Sequence, residues 1–210
     1  MPNRDHLGNR KSRTCCFRTP SLGYYLIITD TDETEKNYFN GLRDSLSKET
    51  KEKLVIKVIK ALTKDLVKKA MELSAKESQF QQIWIVFDRD QVMDFDLIIS
   101  SANSKGMSVG WSNPCFEIWL ESYFGSMKNC KDSQKCCDIF SKLFEQKVGK
   151  KYEKNSKTIY KDVKEHGNEI EAIRLASTKF SAISKNEKLP SNMSPATTVY
   201  KLVEEIRGKD

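Results

Sequence analysis

Two pairs of aspartates stand where they could bind a divalent metal ion. Asp30 and Asp32 follow the apolar segment YYLIIT, and Asp88 and Asp90 follow the apolar segment IWIVF. Short apolar, β-branched segments of this kind predict buried strands. Crowded carboxylates resist full ionisation unless a cation neutralises them, and oxygen ligands without His or Cys favour Mg²⁺ or Mn²⁺. Such an ion beside a basic surface is typical of phosphoryl transfer or phosphodiester hydrolysis.

These acids belong to a segment in which predicted strands alternate with helical patterns. Strands are predicted at 24–29, 54–59, 83–87 and 107–111. The alternation predicts an α/β fold, a parallel four-stranded sheet with flanking helices. In the strand order 2-1-3-4 the first and third strands are neighbours, so Asp30 and Asp88 would lie side by side at the carboxyl edge of the sheet. Open sheets bind ligands at that edge.

The last third of the chain shows only helical periodicity. Helices are predicted over 134–146, 156–165, 168–184 and 195–207, with Pro195 at the first helical position, and no strand is expected after about residue 130. No Pro/Gly-rich linker separates these helices from the α/β part, so we expect them to pack on it. The predicted organisation is a flexible basic arm at 1–20, an α/β core at 21–128 and a helical C-terminal region at 129–210.

The segment after the first strand permits two other interpretations. Asp32 and Glu35 have the spacing of a capping box, so Asp32 would serve only to cap a helix. The segment LIITDTDET also fits the opening of haloacid-dehalogenase-type phosphatases, in which Asp30 would be the nucleophile and Asp32 the acid/base. In such a phosphatase the later segment SNPCFE would have no role, which makes this the lesser alternative.

Asn113 and Pro114 have the pattern of a helix start. Asn113 suits the N-cap, Pro114 the first helical position, and Glu117 the first turn, where its charge complements the helix dipole. This structural explanation requires no function. In the functional interpretation, the helix begins at the carboxyl edge of the sheet, so that Ser112 and Glu117 face the same cleft as the aspartates.

The charge of the chain favours an anionic partner. Lys and Arg number 36 against 29 Asp and Glu, which gives a net charge of +7 and a pI of about 9.0. A basic protein of this size favours nucleic acid. No apolar run long enough for a membrane span and no signal sequence is visible, so we expect a cytoplasmic protein without a membrane partner. The predicted phosphate-binding residues are Arg10, Lys11, Arg13, Arg18 and Arg89.

The cysteines do not have the spacing of a structural zinc site. Of the six, Cys15–Cys16 and Cys136–Cys137 form adjacent pairs, and neither has the CxxC spacing. Only two histidines are present. We therefore expect free thiols in a reducing compartment.

Four segments resemble a known family. The stretch ITDTDETEKNYF (28–39) resembles the EGxxTExxYF opening of RloB-like proteins, and VFDRD (86–90) resembles their vfDrD segment. SNPCFEIWL (112–120) is similar to their SNPcFElWl segment, the most specific of the four. SPATTVYKLV (194–203) resembles their terminal NPsTxvhxLV segment. The segments occur in the family order and cover about residues 22–207.

The resemblance implies a function as well as a fold. RloB-like proteins look like members of the Toprim superfamily, together with the abortive-infection protein AbiLii, so the resemblance implies a Toprim-like α/β core at 21–128. The resemblance implies Mg²⁺ held by Asp30, Asp88 and Asp90, with Glu117 orienting a ligand or binding a second ion. It implies an antiphage-defence effector, a Mg²⁺-dependent nuclease acting on RNA, including tRNA, or on DNA, often beside a co-encoded ATPase.

One departure from the family pattern supports a different function. Where the family has Glu followed by Gly, this chain has Asp30 and Thr31. The Asp carboxylate lies one methylene further back, and the freedom of Gly in φ is lost. The alternative is therefore a non-catalytic nucleic-acid-binding or regulatory subunit of an ATPase-containing defence system.

Overall fold

The structure has the predicted alternation of strands and helices. The computed structural model describes residues 22–210, apart from residues 32, 78 and 91. The strands in this part of the chain are β1 (Gly23–Thr29), β2 (Leu54–Lys60), β3 (Gln82–Asp88), β4 (Ser108–Asn113) and β5 (Ala196–Thr197). The helices are α1 (Thr34–Asp44), α2 (Lys48–Lys53), α3 (Leu66–Lys76), α4 (Phe95–Ser104), α5 (Glu117–Ser122), α6 (Ser133–Val148), α7 (Ile159–His166), α8 (Glu169–Ile183) and α9 (Val199–Arg207).

The sheet confirms the predicted order of the first four strands. Its order is β2-β1-β3-β4-β5, in which β1 to β4 are parallel and β5 is antiparallel to β4. Asp30 directly follows β1 and Asp88 ends the neighbouring strand β3, so both lie at the carboxyl edge. The expectation of no strand after residue 130 is wrong. β5 has only two residues, too few to show a periodicity.

Helices cover both faces of the sheet. Along β1, Tyr25 and Ile27 point into one hydrophobic core, and Leu26 and Ile28 point into the other. The first core is shared with α1 and α5 to α9, and the second with α3 and α4. A strand buried on both faces needs apolar residues at every position, which is why its sequence shows no alternation.

Helix α1 packs closely on α7 at a glycine. Tyr38, Phe39 and Leu42 form its buried stripe. At Gly41 an added Cβ would lie 2.6 Å from the Cβ of Tyr160, which is too short for any real contact. The side chain of Tyr160 therefore fills the space that a larger residue at position 41 would need.

The connection from β4 to α5 differs from the predicted helix start. β4 continues to Asn113, the Asn113–Pro114 peptide is cis, and α5 begins only at Glu117. The Asn113 amide donates hydrogen bonds to the carbonyls of Pro190 and Ser191 at 3.1 and 3.0 Å. The prediction of Asn113 as N-cap and Pro114 as first helical residue is therefore wrong, because long-range contacts hold this segment in an extended form.

The prediction for Pro195 is wrong for a related reason. Pro195 follows a cis peptide and precedes β5, and α9 begins at Val199. The Thr197 hydroxyl donates to the Trp111 carbonyl at 3.0 Å, and the Thr198 hydroxyl accepts from the Trp111 amide at 3.0 Å. Two threonines thus hold the start of α9 against the outer edge of β4.

A polar network joins the C-terminal helix to α7 and α8 and to the residues that follow α1 and α5. In α9, Arg207 Nε donates to Glu169 Oε1 at 2.7 Å, and Arg207 Nη2 contacts the Tyr160 hydroxyl and the Ser45 hydroxyl. Glu169 Oε2 accepts from Tyr123 and Tyr160 at 2.8 and 2.9 Å. Both oxygens of the Glu169 carboxylate, which is 12% exposed, therefore accept hydrogen bonds from protein groups.

Candidate active site

Carboxylates from four segments surround one cleft at the carboxyl edge of the sheet. The cleft has a volume of about 280 Å³ and lies between the ends of β1 and β3. Its acids come from the end of β1, from α1, from the loop after β3 and from the first turn of α5. The residues that line it include Asp30, Thr31, Glu35, Thr63, Asp88, Asp90, Glu117 and Lys154.

The Asp30 carboxylate is partly buried and only weakly hydrogen-bonded. Its Oδ1 atom is buried and has no hydrogen-bond partner, while Oδ2 accepts a long hydrogen bond of 3.4 Å from the Thr63 hydroxyl. Burial raises the pKa of the Asp30 carboxyl to about 6. A buried oxygen without a donor loses its hydration with no compensation. The oxygen-only donor set around it fits Mg²⁺ or Mn²⁺.

Asp88 lies inside the cleft and Asp90 at its rim. Burial, reinforced by the charges of Glu35 and Asp30, raises the pKa of Asp88 well above its ordinary value. The exposed Asp90 has a positive φ of 22°, and its amide donates to the Pro114 carbonyl at 2.9 Å. The loop after β3 is thereby held against the end of β4, so that both carboxylates line the cleft.

Glu35 is a member of the cleft that was predicted only as a capping residue. It is 4% exposed and accepts a hydrogen bond from the Thr31 hydroxyl. Burial, and after it the charge of Asp30, raises the pKa of Glu35 to about 7. The N-cap of α1 is Glu33, which makes no side-chain capping bond, and Asp32 lies outside the described residues.

The sequence does contain a signal for Glu35. It precedes Tyr38 by three residues and Phe39 by four, so it falls on the apolar stripe of α1. A carboxyl on a buried stripe requires a partner or a function, because burial penalises its charged form. The periodicity of α1 therefore indicates Glu35 as a candidate site residue.

A loop from the helical region holds Glu117. Glu117 is 3% exposed, and its Oε1 accepts from the Tyr152 hydroxyl at 2.9 Å and lies 3.9 Å from Lys154 Nζ. The loop itself is fixed by the Thr34 hydroxyl, which donates to the Lys154 carbonyl at 2.9 Å. Tyr152 and Lys154 were not predicted, since no local pattern marks a loop residue that reaches a distant cleft.

Two of the residues that the sequence assigned to the site do not line the acidic cleft. Ser112 does not line the cleft as expected, because its hydroxyl is fully buried against that of Thr197 at 2.9 Å. Arg89 lines an adjoining cleft together with Lys131, and its Nη1 donates to the Val92 carbonyl at 2.6 Å. The predicted phosphate-binding residues of the N-terminal arm lie outside the described residues: Arg10, Lys11, Arg13 and Arg18.

A comparison with protein families shows the family to which the chain belongs. The family model described as RloB-like protein matches residues 25–206, which is most of the chain. The chain belongs to the RloB-like protein family. All the acids of the cleft lie within the matched RloB-like region. No curated protein and no solved structure matches the chain. Among the described residues of this RloB-like chain, no helix is long and apolar enough to cross a membrane.

Proposed function

We propose that this RloB-like protein is a Mg²⁺- or Mn²⁺-dependent nuclease, an antiphage effector that cleaves RNA, including tRNA, or DNA. The observation that carries the proposal is the convergence of Asp30, Glu35, Asp88 and Glu117 on one cleft. Burial and mutual repulsion raise the pKa values of the first three carboxyls. A divalent cation relieves both effects, because it replaces lost hydration and neutralises the charge.

The residues of the cleft divide into roles by their positions. Asp30, Asp88 and Asp90 would hold the ion, which when bound would neutralise charge on a phosphodiester and make water nucleophilic at neutral pH. Glu35, with a pKa of about 7, is suited to accept or return a proton. The hydrogen bond from Tyr152 and the charge of Lys154 fix Glu117, which would orient the substrate.

Basic groups beside the acids support a polyanionic substrate. Lys154 lines the acidic cleft, while Arg89 and Lys131 line the cleft that adjoins it at Asp90. Contacts between such side chains and phosphates position a nucleic acid without selecting its sequence. We therefore expect binding that weakens steeply as the salt concentration rises.

The pair Asp30–Thr31, which replaces Glu–Gly of the family pattern, was the support for a non-catalytic role. The Thr31 hydroxyl donates to Glu35, and therefore positions one of the acids of the cleft. Asp30 still lines the cleft with an unpartnered oxygen. These two observations favour an active site over a purely regulatory subunit.

A cleavage assay tests the proposal. The purified chain would be incubated with total tRNA, plasmid and single-stranded DNA, each with Mg²⁺, Mn²⁺ or EDTA, and with and without a co-encoded ATPase. We expect discrete fragments that require the metal. Asp88→Asn should abolish them, whereas Asp94→Asn should not, because Asp94 is exposed and makes no side-chain capping bond.

The result that would overturn the proposal is cleavage that persists equally in EDTA or in Asp88→Asn. Binding of RNA or DNA without any cleavage, even with the ATPase present, would support the non-catalytic alternative. Circular dichroism of both variants would show whether a loss of cleavage reflects a loss of fold.

A further inference from the structure

Two cysteines lie close to Glu117, which also lines the acidic cleft. Cys115 lies between β4 and α5, and Cys137 lies in α6. One sulfur from each cysteine and one carboxylate oxygen of Glu117 all lie within 4.8 Å of one another. All three side chains are buried, and neither cysteine forms a disulfide, while the Cys115 thiol donates to the Ser133 carbonyl at 3.8 Å.

We propose that Cys115, Cys137 and Glu117 form a second metal site, which binds a thiophilic divalent cation such as Zn²⁺. Zinc takes thiolate and carboxylate ligands, and its open sites have three protein ligands with water in the fourth position. Tetrahedral ligands around zinc are separated by about 3.8 Å, given a Zn–S distance of about 2.3 Å. The three ligand atoms, which lie within 4.8 Å of one another, would have to approach by about 1 Å at most to reach this geometry.

The surroundings supply access and compensating charge. Cys137 lines an open cleft of about 350 Å³, together with Asp90, Lys131 and Lys154, through which an ion can enter. Binding would release one proton from each thiol to the solvent. Two thiolates and one carboxylate carry three negative charges, of which Zn²⁺ neutralises two. The ammonium group of Lys154, whose Nζ lies 3.9 Å from Glu117 Oε1, offsets the third.

The ligand types separate this site from the magnesium site. Thiolates select zinc over Mg²⁺, whereas the all-oxygen set at Asp30 and Asp88 selects the hard ion. The sequence did not predict the thiol site, because Cys115 and Cys137 are far apart in the chain. The inference does not depend on nuclease activity, since its test measures metal binding alone.

Cobalt binding tests the site directly. The full chain, reduced and freed of metal, would be titrated with Co²⁺ under anaerobic conditions. We expect one ion per chain to show thiolate-to-cobalt charge-transfer absorption and the intense d–d bands of tetrahedral Co²⁺, and both signals to disappear when Zn²⁺ is added.

Substitutions assign the ligands. Cys115→Ser and Cys137→Ser should each lower the charge-transfer absorption per bound cobalt and weaken binding about 100-fold or more, since even indirect partners of metal ligands contribute about 10–100-fold. Glu117→Gln should weaken binding and leave the thiolate bands of the remaining complex. Cys130→Ser is the matched control, because Cys130 is a half-buried thiol that donates to the Asp132 carbonyl at 3.2 Å.

A thiolate-free cobalt spectrum in the wild-type chain would overturn the proposal, as would bands that persist in the Cys115→Ser/Cys137→Ser double variant. A Cys115–Cys137 disulfide that forms in the presence of zinc would also overturn it. The wild-type spectrum decides the question if a variant fails to fold. Cleavage activity enters none of these outcomes, so failure of the nuclease assay is distinguishable from failure here.

Discussion

Glu35 and Asp30 lie where burial favours the neutral form of a carboxyl. Their pKa values rise from 4.5 and 3.8 to about 7 and about 6. The folded chain therefore holds protons that the unfolded chain has already released between about pH 4 and pH 7. Because the folded state binds more protons in this window, the free energy of unfolding of the metal-free protein falls as the pH rises through it.

The substitution Glu35→Gln tests this effect. In metal-free protein at pH 8 it should raise the free energy of unfolding by about 1–3 kcal/mol, since a buried charge is removed. At pH 4 both forms are neutral and the difference should vanish. Urea denaturation at the two pH values, with the exposed Glu72→Gln as control, measures it. An equal gain at both pH values would contradict the assignment.

The acidic cleft also predicts how Mg²⁺ changes the thermal stability of the protein. An ion that binds only the folded state stabilises it by mass action, and it also removes the repulsion among Asp30, Glu35 and Asp88. Wild-type protein should therefore gain more thermal stability from Mg²⁺ than Asp88→Asn does. Thermal unfolding in EDTA and in Mg²⁺ measures the difference, and equal gains would place the ion elsewhere.

The sequence predicted those residues of the acidic cleft that local patterns mark. Asp30 and Asp88 follow from the ends of apolar strands, and the strand order places them together. Glu35 was missed because its spacing from Asp32 offered a simpler explanation. Tyr152 could not be predicted, because its contact with Glu117 depends on how a loop folds over a distant helix.

At the level of elements, the prolines show where local rules reach their limit. Pro114 and Pro195 were both assigned to helix starts, since proline has the φ value of a first helical residue. The same φ value fits an extended turn. The structure is decided instead by contacts such as those of the Asn113 amide with Pro190 and Ser191, which no window of sequence contains.

The packing of α1 on α7 gives a prediction of unusual sign. Replacing Gly by Ala within a helix ordinarily stabilises it by about 1 kcal/mol. Gly41→Ala should instead destabilise the protein by about 1–3 kcal/mol, because the new Cβ would lie 2.6 Å from Tyr160. Asn40→Ala, one residue earlier in α1, should not. Urea denaturation of the two variants checks this, and a stabilised Gly41→Ala variant would show that α1 and α7 are not packed so closely.

At the scale of the whole molecule, Arg207 connects the C-terminal helix to the rest. Arg207→Ala should lower the free energy of unfolding by about 2–4 kcal/mol, because it leaves the largely buried Glu169 without its cation. Arg174→Ala removes an exposed ion pair with Glu171 and should leave the free energy of unfolding almost unchanged, because solvent screens exposed charges. Equal effects of the two changes in urea denaturation would contradict the role of the network.

The outer edge of β4 has a consequence for how the chain acquires its fold. The residues that cover it, Thr197 and Thr198, lie 85 and 87 positions from their partners Ser112 and Trp111. During synthesis β4 therefore emerges long before the segment that pairs with it. Open strand edges invite pairing with other chains, and distant contacts form slowly because long loops must close first. The nascent protein consequently passes through a stage in which this edge of β4 is uncovered and can pair with other chains.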